Sequence, residues 1–284
     1  MEVEEIKRHI YGDLEGRLPG RLGFEADALS YANYELLRET GTDLVPRRGL
    51  VESLRAVKEP EELDAIRRAS EATNRAYEAL AQEQLSGRTE KELVWRMTEL
   101  FHEHGADEPA FTIDIAAGPT AASPHAIPGD RVVQEGDLVL VDAGAKLDHY
   151  CSDCTRTFAV GEVSGSLREI YEITRAAQQA GLDAVRAGAT GRDVDAAARA
   201  VITDGGYGEN FGHGLGHGIG LLVHEAPALR PESTDTLAAG NVVTVEPGIY
   251  LSGVGGVRIE DLVVVTDDGC EALTSFPKDL ITVR

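Results

Sequence analysis

Two apolar segments of this 284-residue chain are each interrupted by a pair of carboxylates at matching places. In the first segment, Asp142 follows the apolar run 138–141, and Asp153 comes after a short polar stretch. A hairpin turn centred between Leu147 and Asp148 would place Asp142 directly opposite Asp153, with both side chains on one face of the sheet. Adjacent carboxylates repel each other, so a cation is expected between them.

The second segment repeats this arrangement. Glu246 and Glu260 are symmetric about Gly253, and the flanking residues 242–245 and 262–265 have the composition of buried strands. A charge inside such a strand is costly unless it is paired or coordinated. Four carboxylates at equivalent places in two hairpins predict one shared cation site; solvent-facing acids at strand ends are the alternative.

A glycine-rich run, GHGLGHGIG, covers residues 212–220. Glycine at every second position excludes a zinc-binding helix, although His213 and His217 are four residues apart, and the lack of a lysine excludes a P-loop. His224 follows closely. Three histidines in a segment whose glycines allow a ligand to approach predict a functional role, with structural histidines as the alternative.

The helical patterns come in two pairs, and each pair is followed by strand patterns. The first pair is predicted over 60–85 and 89–104. In the second pair, one helix begins at a capping pattern on Ser166 and ends near Gly188, and the other covers 192–203. This order predicts an α+β fold with internal two-fold pseudo-symmetry rather than a doubly wound sheet.

Residues 1–57 differ from the rest of the chain because glycine and proline divide them into short segments. One helix is predicted there over 32–39, with Ser30 near its start. Such a segment is small for an independent core. Two domains are therefore expected, 1–57 and 58–284.

The net charge and the short apolar runs argue against a nucleic-acid-binding protein and a membrane protein. The formal net charge is −22, which opposes binding to nucleic acid and to anionic membranes. No apolar run is long enough to span a bilayer, and the acidic segment Met1–Lys7 does not have the pattern of a signal peptide. Three cysteines argue against a disulfide framework, and Cys151 and Cys154 are interpreted as packing residues rather than a redox or zinc pair.

These features predict a cytoplasmic protein. Only five residues are lysine, and scarce lysine with excess acid favours a halophilic protein; an ordinary acidic enzyme is the alternative.

Several motifs resemble those of metallopeptidase family M24, whose catalytic domain has the "pita-bread" fold, and in particular its Xaa-Pro dipeptidase (prolidase) and Xaa-Pro aminopeptidase branch. The resemblance covers about residues 50–284. The matching segments are 123–128, 141–144, 150–158, 213–220, 223–225, 245–250 and 257–261. Residues 1–57 resemble the last part of a creatinase-like N-terminal domain, which suggests a truncated remnant of it.

The resemblance implies a centre of two divalent metal ions. Manganese is the expected metal, with cobalt, iron and zinc as alternatives. Asp153 and Glu260 would bridge the two ions. The implied ligands are Asp142, Asp153, His217, Glu246 and Glu260.

The resemblance also implies roles for the residues around the metal centre. His125 and His224 would form hydrogen bonds with the substrate and the tetrahedral intermediate, and Glu246 would act as acid and base. Arg258 would balance charge beside the ligands, and His213 would border the region that binds proline.

The implied activity is hydrolysis of Xaa-Pro bonds at the N-terminus of dipeptides or longer peptides. The expected partner is a proline-containing peptide, and a homodimer is expected from the family. The alternatives are an activity like that of methionine aminopeptidase, a metal-free hydrolase of the creatinase type, and a non-catalytic peptide-binding homologue. Whether dipeptides or longer peptides are preferred stays open at this point.

Overall fold

The computed structural model describes residues 10, 11, 14 and 16–284, so the segment Met1–Lys7 lies outside the described residues. The chain divides into two compact units, Met1–Leu54 and Arg55–Arg284. The relation of residues 1–57 to a creatinase-like domain stays a prediction. Among the described residues, no helix combines the length and the apolar character that a bilayer span requires.

The first unit contains two parallel strands joined through a helix. Strand β1 (Arg21–Glu25) pairs with β2 (Asp43–Arg47), and helix α1 (Tyr31–Glu39) connects them. The Ser30 side chain caps α1 by accepting a hydrogen bond from the backbone N–H of Asn33. The helix predicted over 32–39 is therefore confirmed, together with its capping serine. Helix α2 covers Leu50–Ala56.

The first half of the second unit places two helices against a mainly antiparallel sheet. Helix α3 (Pro60–Leu80) begins with proline at its first position, and α4 (Glu90–Glu103) begins with a capping box formed by Thr89 and Glu92. The strands of this half are β3 (Glu108–Pro109), β4 (Asp114–Ala117), β5 (Leu138–Asp142), β6 (Ala145–Leu147), β7 (Tyr150–Cys151) and β8 (Thr155–Val160), with a 3₁₀ turn at Gly118–Ala122.

The second half repeats the plan with helices α5 (Gly165–Ala184) and α6 (Gly191–Asp204). A 3₁₀ turn lies at Gly208–Asn210. The strands of this half are β9 (Gly216–Gly218), β10 (Glu225–Leu229), β11 (Val242–Val245), β12 (Gly248–Leu251), β13 (Gly255–Arg258), β14 (Asp261–Val265) and β15 (Cys270–Ala272). The last strand, β16 (Thr282–Val283), belongs to the sheet of the first half.

Each half has its own main sheet and its own apolar core. The sheet of the first half has the order β16–β8–β5–β4, and that of the second has the order β10–β9–β11–β14–β15. Tyr77 and Phe101 lie in the core of the first half, and Tyr171 and Val243 lie in the core of the second. This repetition of helix pairs on antiparallel strands confirms the predicted α+β fold.

Some predicted boundaries are wrong by a few residues. The cap of α5 is Ser164, whose side chain accepts from the N–H of Leu167, and not Ser166, which lies inside the first turn. The helix ends before buried Val185, where the chain becomes extended, rather than near Gly188. Helix α3 ends at Leu80 rather than near residue 85, because the chain turns there to bring Leu85 into the core.

The predicted register of the first hairpin is also wrong. The turn lies at Asp148 and His149, which both have positive φ angles, one position later than predicted. Asp142 is therefore directly opposite Thr155 rather than Asp153. The partner changes by two residues, and Asp153 itself lies outside the regular strands, between β7 and β8.

The register of the second hairpin agrees with the prediction. Gly248 pairs with Arg258, and Val245 pairs with Asp261, so both strand pairs are symmetric about Gly253. Gly253 has a φ of +74°, in the left-handed region that favours glycine at a turn.

Candidate active site

Three carboxylates of the two hairpins meet between the halves of the second unit. Asp153 lies in the irregular stretch between β7 and β8, and Glu260 lies in the break between β13 and β14. These interruptions free both acids from regular strand geometry and allow them to approach Asp142 at the end of β5. Ligand oxygens of Asp142, Asp153 and Glu260 all lie within 4.8 Å of one another.

Each of these acids has a carboxylate oxygen without a partner. Among the described residues, Asp142 Oδ1, Asp153 Oδ1 and Glu260 Oε1 are buried and receive no hydrogen bond. Burial, followed by the negative charge of the neighbouring carboxylates, raises the pKa of Asp153 and of Glu260 well above the usual range. A buried polar atom without a partner is costly, so this donor set fits a bound divalent cation.

A histidine and a fourth acid adjoin this cluster. The His217 Nδ1–H donates to the carbonyl of Gly218 at 3.1 Å, which leaves Nε2 facing Glu246 Oε1 at 3.3 Å and Asp153 Oδ2 at 3.8 Å. A metal-ligating histidine usually donates the N–H of its other ring nitrogen to a carbonyl or carboxylate, as Nδ1 of His217 does here. The prediction of one site that gathers acids from both hairpins therefore agrees with the geometry.

Glu246 differs electrostatically from the other acids. Burial by itself would raise its pKa, but the hydrogen bond and charge of His217 and the charge of Arg258 outweigh burial and lower it to about 2. For His217, burial lowers the pKa, but Glu246 outweighs this and the pKa is raised. Glu246 is consequently ionised at neutral pH.

Arg258 joins the cluster to the wall of the cavity. Its guanidinium donates to Asp142, to Tyr250 Oη at 2.8 Å and to the carbonyl of Pro124 at 3.1 Å. Thr155 Oγ1 accepts from Arg258 Nε at 3.2 Å and donates to Glu260 Oε2 at 2.7 Å. The guanidinium therefore partly balances the acids while leaving the inward-facing oxygens free.

His213 is fixed by the same network. Its Nδ1 donates to the carbonyl of Gly214 at 2.7 Å, and its Nε2, at 2.9 Å, accepts from Tyr250 Oη. Burial lowers the pKa of His213, in agreement with a neutral ring. Both nitrogens are occupied, so His213 can offer a substrate its ring surface but no free hydrogen-bonding atom.

A cavity of about 480 Å³ opens onto the cluster. His224 lies beside His217, with ring centroids 4.3 Å apart, and burial, followed by the charge of His217, lowers the pKa of His224. Glu260 lies behind the lining residues, buried to 1% exposure. The other predicted site residues all line the cavity: His125, Asp142, Asp153, His213, His217, His224, Glu246 and Arg258.

The glycines of the 212–220 run have a different role from the one expected. A Cβ atom on Gly216 would lie 2.0 Å from the Thr244 carbonyl oxygen, and one on Gly218 would lie 2.2 Å from that of Ala226. These glycines allow the backbones of neighbouring strands to approach. The expectation that they make room for a ligand is therefore corrected at these two positions.

The structure adds residues that sequence reasoning missed. Asp114 lines the cavity and is paired in register with Asp142; burial, followed by the charge of Asp142, raises its pKa to about 6. Tyr250 and Thr155 connect the network described above. Asp114 and Tyr250 belong to largely apolar strands, where an isolated polar residue was the one available signal. Thr155 and Tyr250 also lie within the motifs that carry the family resemblance.

The position of His224 depends on an ion-pair cluster next to it. Glu225 accepts from Arg55, from Lys58 Nζ at 3.4 Å and from the N–H of Leu222 at 2.9 Å. The Lys58 side chain is almost fully buried, and burial lowers its pKa. The loop that carries His224 is thereby held to the segment before α3.

Comparison with known proteins places this geometry in a family. Residues 64–267 match metallopeptidase family M24. The Xaa-Pro dipeptidase of Pyrococcus furiosus is 39% identical over 92% of this chain and 75% of its own length. The structure of an Xaa-Pro dipeptidase from Bacillus anthracis superposes with a TM-score of 0.94 at 42% identity, over 97% of this chain and 79% of that one. The structure of an X-Pro aminopeptidase from Thermotoga maritima superposes with a TM-score of 0.90 at 36% identity. The superposition covers 99% of this chain and 82% of that one.

Proposed function

This chain belongs to metallopeptidase family M24, and we propose that it is a dinuclear-metal-dependent exopeptidase that hydrolyses Xaa-Pro bonds at the N-terminus of proline-containing peptides. The names of its relatives from Pyrococcus furiosus, Bacillus anthracis and Thermotoga maritima support this substrate class. Those names include both dipeptidases and an aminopeptidase, so the proposal covers dipeptides and longer peptides.

The observation that carries the proposal is the set of buried, unpartnered carboxylate oxygens beside His217, whose Nε2 lies 3.3 Å from Glu246 Oε1. Two divalent ions held there would polarise the scissile carbonyl and lower the pKa of a water molecule. Because most of the donors are oxygen atoms, we propose manganese, with cobalt, iron and zinc as alternatives. The residues proposed to hold the ions are Asp142, Asp153, His217, Glu246 and Glu260.

Glu246 is the proposed proton carrier. Its carboxylate is ionised at neutral pH, because His217 and Arg258 lower its pKa. It can accept a proton from the attacking water and deliver that proton to the departing nitrogen of proline, which leaves as a secondary amine. The overall reaction consumes one water molecule and releases the N-terminal amino acid together with proline or a peptide that begins with proline.

Two histidines are proposed to bind the reacting carbonyl. His224 has a lowered pKa and is neutral, so it can donate a hydrogen bond without competing for the proton that Glu246 carries. His125 is exposed on the cavity wall, where it can donate to the substrate. Donors of this kind stabilise the charge that develops on the oxygen. The ring of His213, fixed by Tyr250, is proposed to border the proline.

A substrate panel tests the proposal. Purified protein is assayed with Ala-Pro, Gly-Pro, Ala-Pro-Ala and Met-Ala-Ala, with manganese or cobalt added, at high salt. We expect metal-dependent cleavage before proline and a clear preference for Ala-Pro-Ala over Met-Ala-Ala. Equal kcat/KM for those two tripeptides would indicate the methionine aminopeptidase alternative, and no cleavage of any peptide would indicate a non-catalytic homologue.

A pair of variants connects the activity to the cluster. Asp153→Asn removes a proposed bridging ligand, and Asp204→Asn removes the same charge from an exposed position at the end of α6. We expect Asp153→Asn to abolish cleavage and Asp204→Asn to retain it. Wild-type turnover with two bound ions in Asp153→Asn would contradict the ligand assignment.

The cellular setting belongs to the proposal as well. The charge of −22 and the scarcity of lysine support work at high salt, and three unpaired cysteines support a reducing cytoplasm. A homodimer stays an expectation from the family. Light scattering at 0.1 and 3 M KCl tests both the oligomer and its dependence on salt.

A further inference from the structure

Asp114 is an acid in the cavity wall that the proposed mechanism does not use. It lies at the start of β4, half-buried, and faces the cavity that opens onto the carboxylate cluster. Within the described part of the chain, its side chain forms no hydrogen bond and no ion pair. The unpartnered oxygens of the cluster lie on Asp142, Asp153 and Glu260, so Asp114 is separate from the set proposed to hold metal.

Neither arginine that lines the cavity forms an ion pair with Asp114. The Arg258 guanidinium is already bonded to Asp142, Tyr250 and the carbonyl of Pro124. Arg230 also lines the cavity, but it is exposed and no ion pair connects it to Asp114. The cavity therefore presents a carboxylate that lacks a counter-ion from the described residues.

The wall around this carboxylate is mixed in character. Phe111 and Pro124, from the same stretch of chain, line the cavity together with Asp114, and Val223 contributes a further apolar side chain. A lysine or arginine side chain matches such a wall, because its aliphatic stem packs on apolar surface while its charged end reaches a carboxylate. A substrate α-ammonium group has no such stem and would gain nothing from these apolar residues.

From this juxtaposition we infer that Asp114 binds the cationic side chain of the substrate residue before proline, so that the enzyme prefers lysine or arginine at that position. The inference rests on the proposed Xaa-Pro peptidase function and deepens it by naming a specificity-determining residue. A neutral side chain of the same length would leave Asp114 without a partner, which disfavours that substrate.

Two dipeptides that differ in one group test the inference. Lys-Pro and norleucyl-Pro have stems of equal length, and only the first has the terminal ammonium. Both would be cleaved at the same metal centre, so the ratio of their kcat/KM values cancels any effect of a variant on metal content. The ratio is measured for wild type, Asp114→Asn, Asp114→Glu and the control Asp204→Asn, with thermal melts to confirm folding.

We expect wild type and Asp204→Asn to prefer Lys-Pro, and Asp114→Asn to lose about tenfold or more of that preference, as for a lost hydrogen bond to a charged group. Asp114→Glu should keep a preference of the same sign. An unchanged ratio in Asp114→Asn overturns the inference, and so does a parallel loss on both dipeptides. If wild type cleaves neither Lys-Pro, norleucyl-Pro nor Ala-Pro, the proposed function itself fails.

Discussion

Glu260 and Asp261 are adjacent and almost equally buried, with exposures of 1% and 2%, yet their surroundings are opposite. Asp261 accepts hydrogen bonds from Arg156 at 2.8 Å, Lys278 at 2.7 Å and Gln178 at 3.0 Å. Glu260 accepts one bond, from the Thr155 hydroxyl, and its second oxygen has no partner among the described residues.

The pKa shifts follow these surroundings. Burial raises the pKa of Glu260, and the neighbouring acids raise it further. Burial also acts on Asp261, but the positive charges of Arg156 and Lys278 outweigh it and lower the pKa. Asp261 is neutralised by cations of the protein itself, whereas no lysine or arginine among the described residues forms an ion pair with Glu260. The two positions thus separate an acid that stabilises the fold from an acid suited to bind a ligand.

The largest expected effect comes from Glu260→Gln. The substitution keeps the shape of the side chain but removes a charge proposed to hold both ions, which should cost several kcal/mol of transition-state stabilisation. We expect kcat/KM for Ala-Pro to fall at least about 1,000-fold. The melting temperature of the metal-free protein should not fall, because the substitution relieves repulsion. A large drop in that temperature would show that Glu260 is structural, as Asp261 is.

For Asp261→Asn, in contrast, we expect a large loss of stability. It leaves the buried guanidinium of Arg156 without its carboxylate, and breaking a buried pair on one side typically costs about 3–5 kcal/mol. Urea denaturation of the metal-free protein measures the loss, with Asp267→Asn in an exposed turn as the control. Stability within 1 kcal/mol of wild type would contradict the structural role of Asp261.

Lys278→Met tests the same network around Asp261 and should cause a smaller loss of stability. Lys278 is partly exposed, and Asp261 keeps its bond to Arg156 when the ammonium is removed. We expect a loss of about 1–2 kcal/mol in the same urea experiment. Lys91→Met removes an exposed lysine paired with Asp130 and should cost less than about 1 kcal/mol. Equal losses in the two variants would contradict the role assigned to the network around Asp261.

Salt should produce the smallest effect. At molar KCl the Debye length is about 3 Å, so repulsion among the exposed acids is screened, while the buried pair of Arg156 and Asp261 is hardly affected. Metal-free protein should gain roughly 1 kcal/mol, about 2–4 °C, between 0.1 and 3 M KCl. Metal-loaded protein should gain less, because bound cations already offset part of the repulsion. A flat or falling melting temperature in the metal-free form would refute the halophile interpretation and leave the peptidase proposal intact.

The two hairpins show how far the sequence predicts the site. Gly253 marks the second turn, so the register around Glu246 and Glu260 was predictable. The first turn uses Asp148 and His149 in left-handed conformations, which these residue types adopt far less often than glycine does, and the predicted position of the turn is wrong by one residue. Asp142 and Asp153 still lie close together, because Asp153 lies in the irregular stretch between β7 and β8 and is not held to strand geometry.

Other features depend on tertiary contacts that no local pattern encodes. The pairing of Asp261 joins it to residues far along the chain, Arg156 and Lys278, and the sequence offered only an acid next to Glu260. Asp114 likewise could not be recognised as a site residue from the sequence, because it reaches the cavity only through the pairing of β4 with β5. The helix pairs, in contrast, follow from periodicity and capping residues, which are local.

Counting the bound ions tests the central claim most directly. Metal-stripped wild type, Glu260→Gln and Asp261→Asn are titrated with manganese in a calorimeter, and the metal content is measured after dialysis. The account predicts two ions per chain in wild type and in folded Asp261→Asn, and fewer than two in Glu260→Gln. No bound manganese in wild type, or two ions in Glu260→Gln, would contradict the claim that the unpartnered carboxylates form a dinuclear metal site.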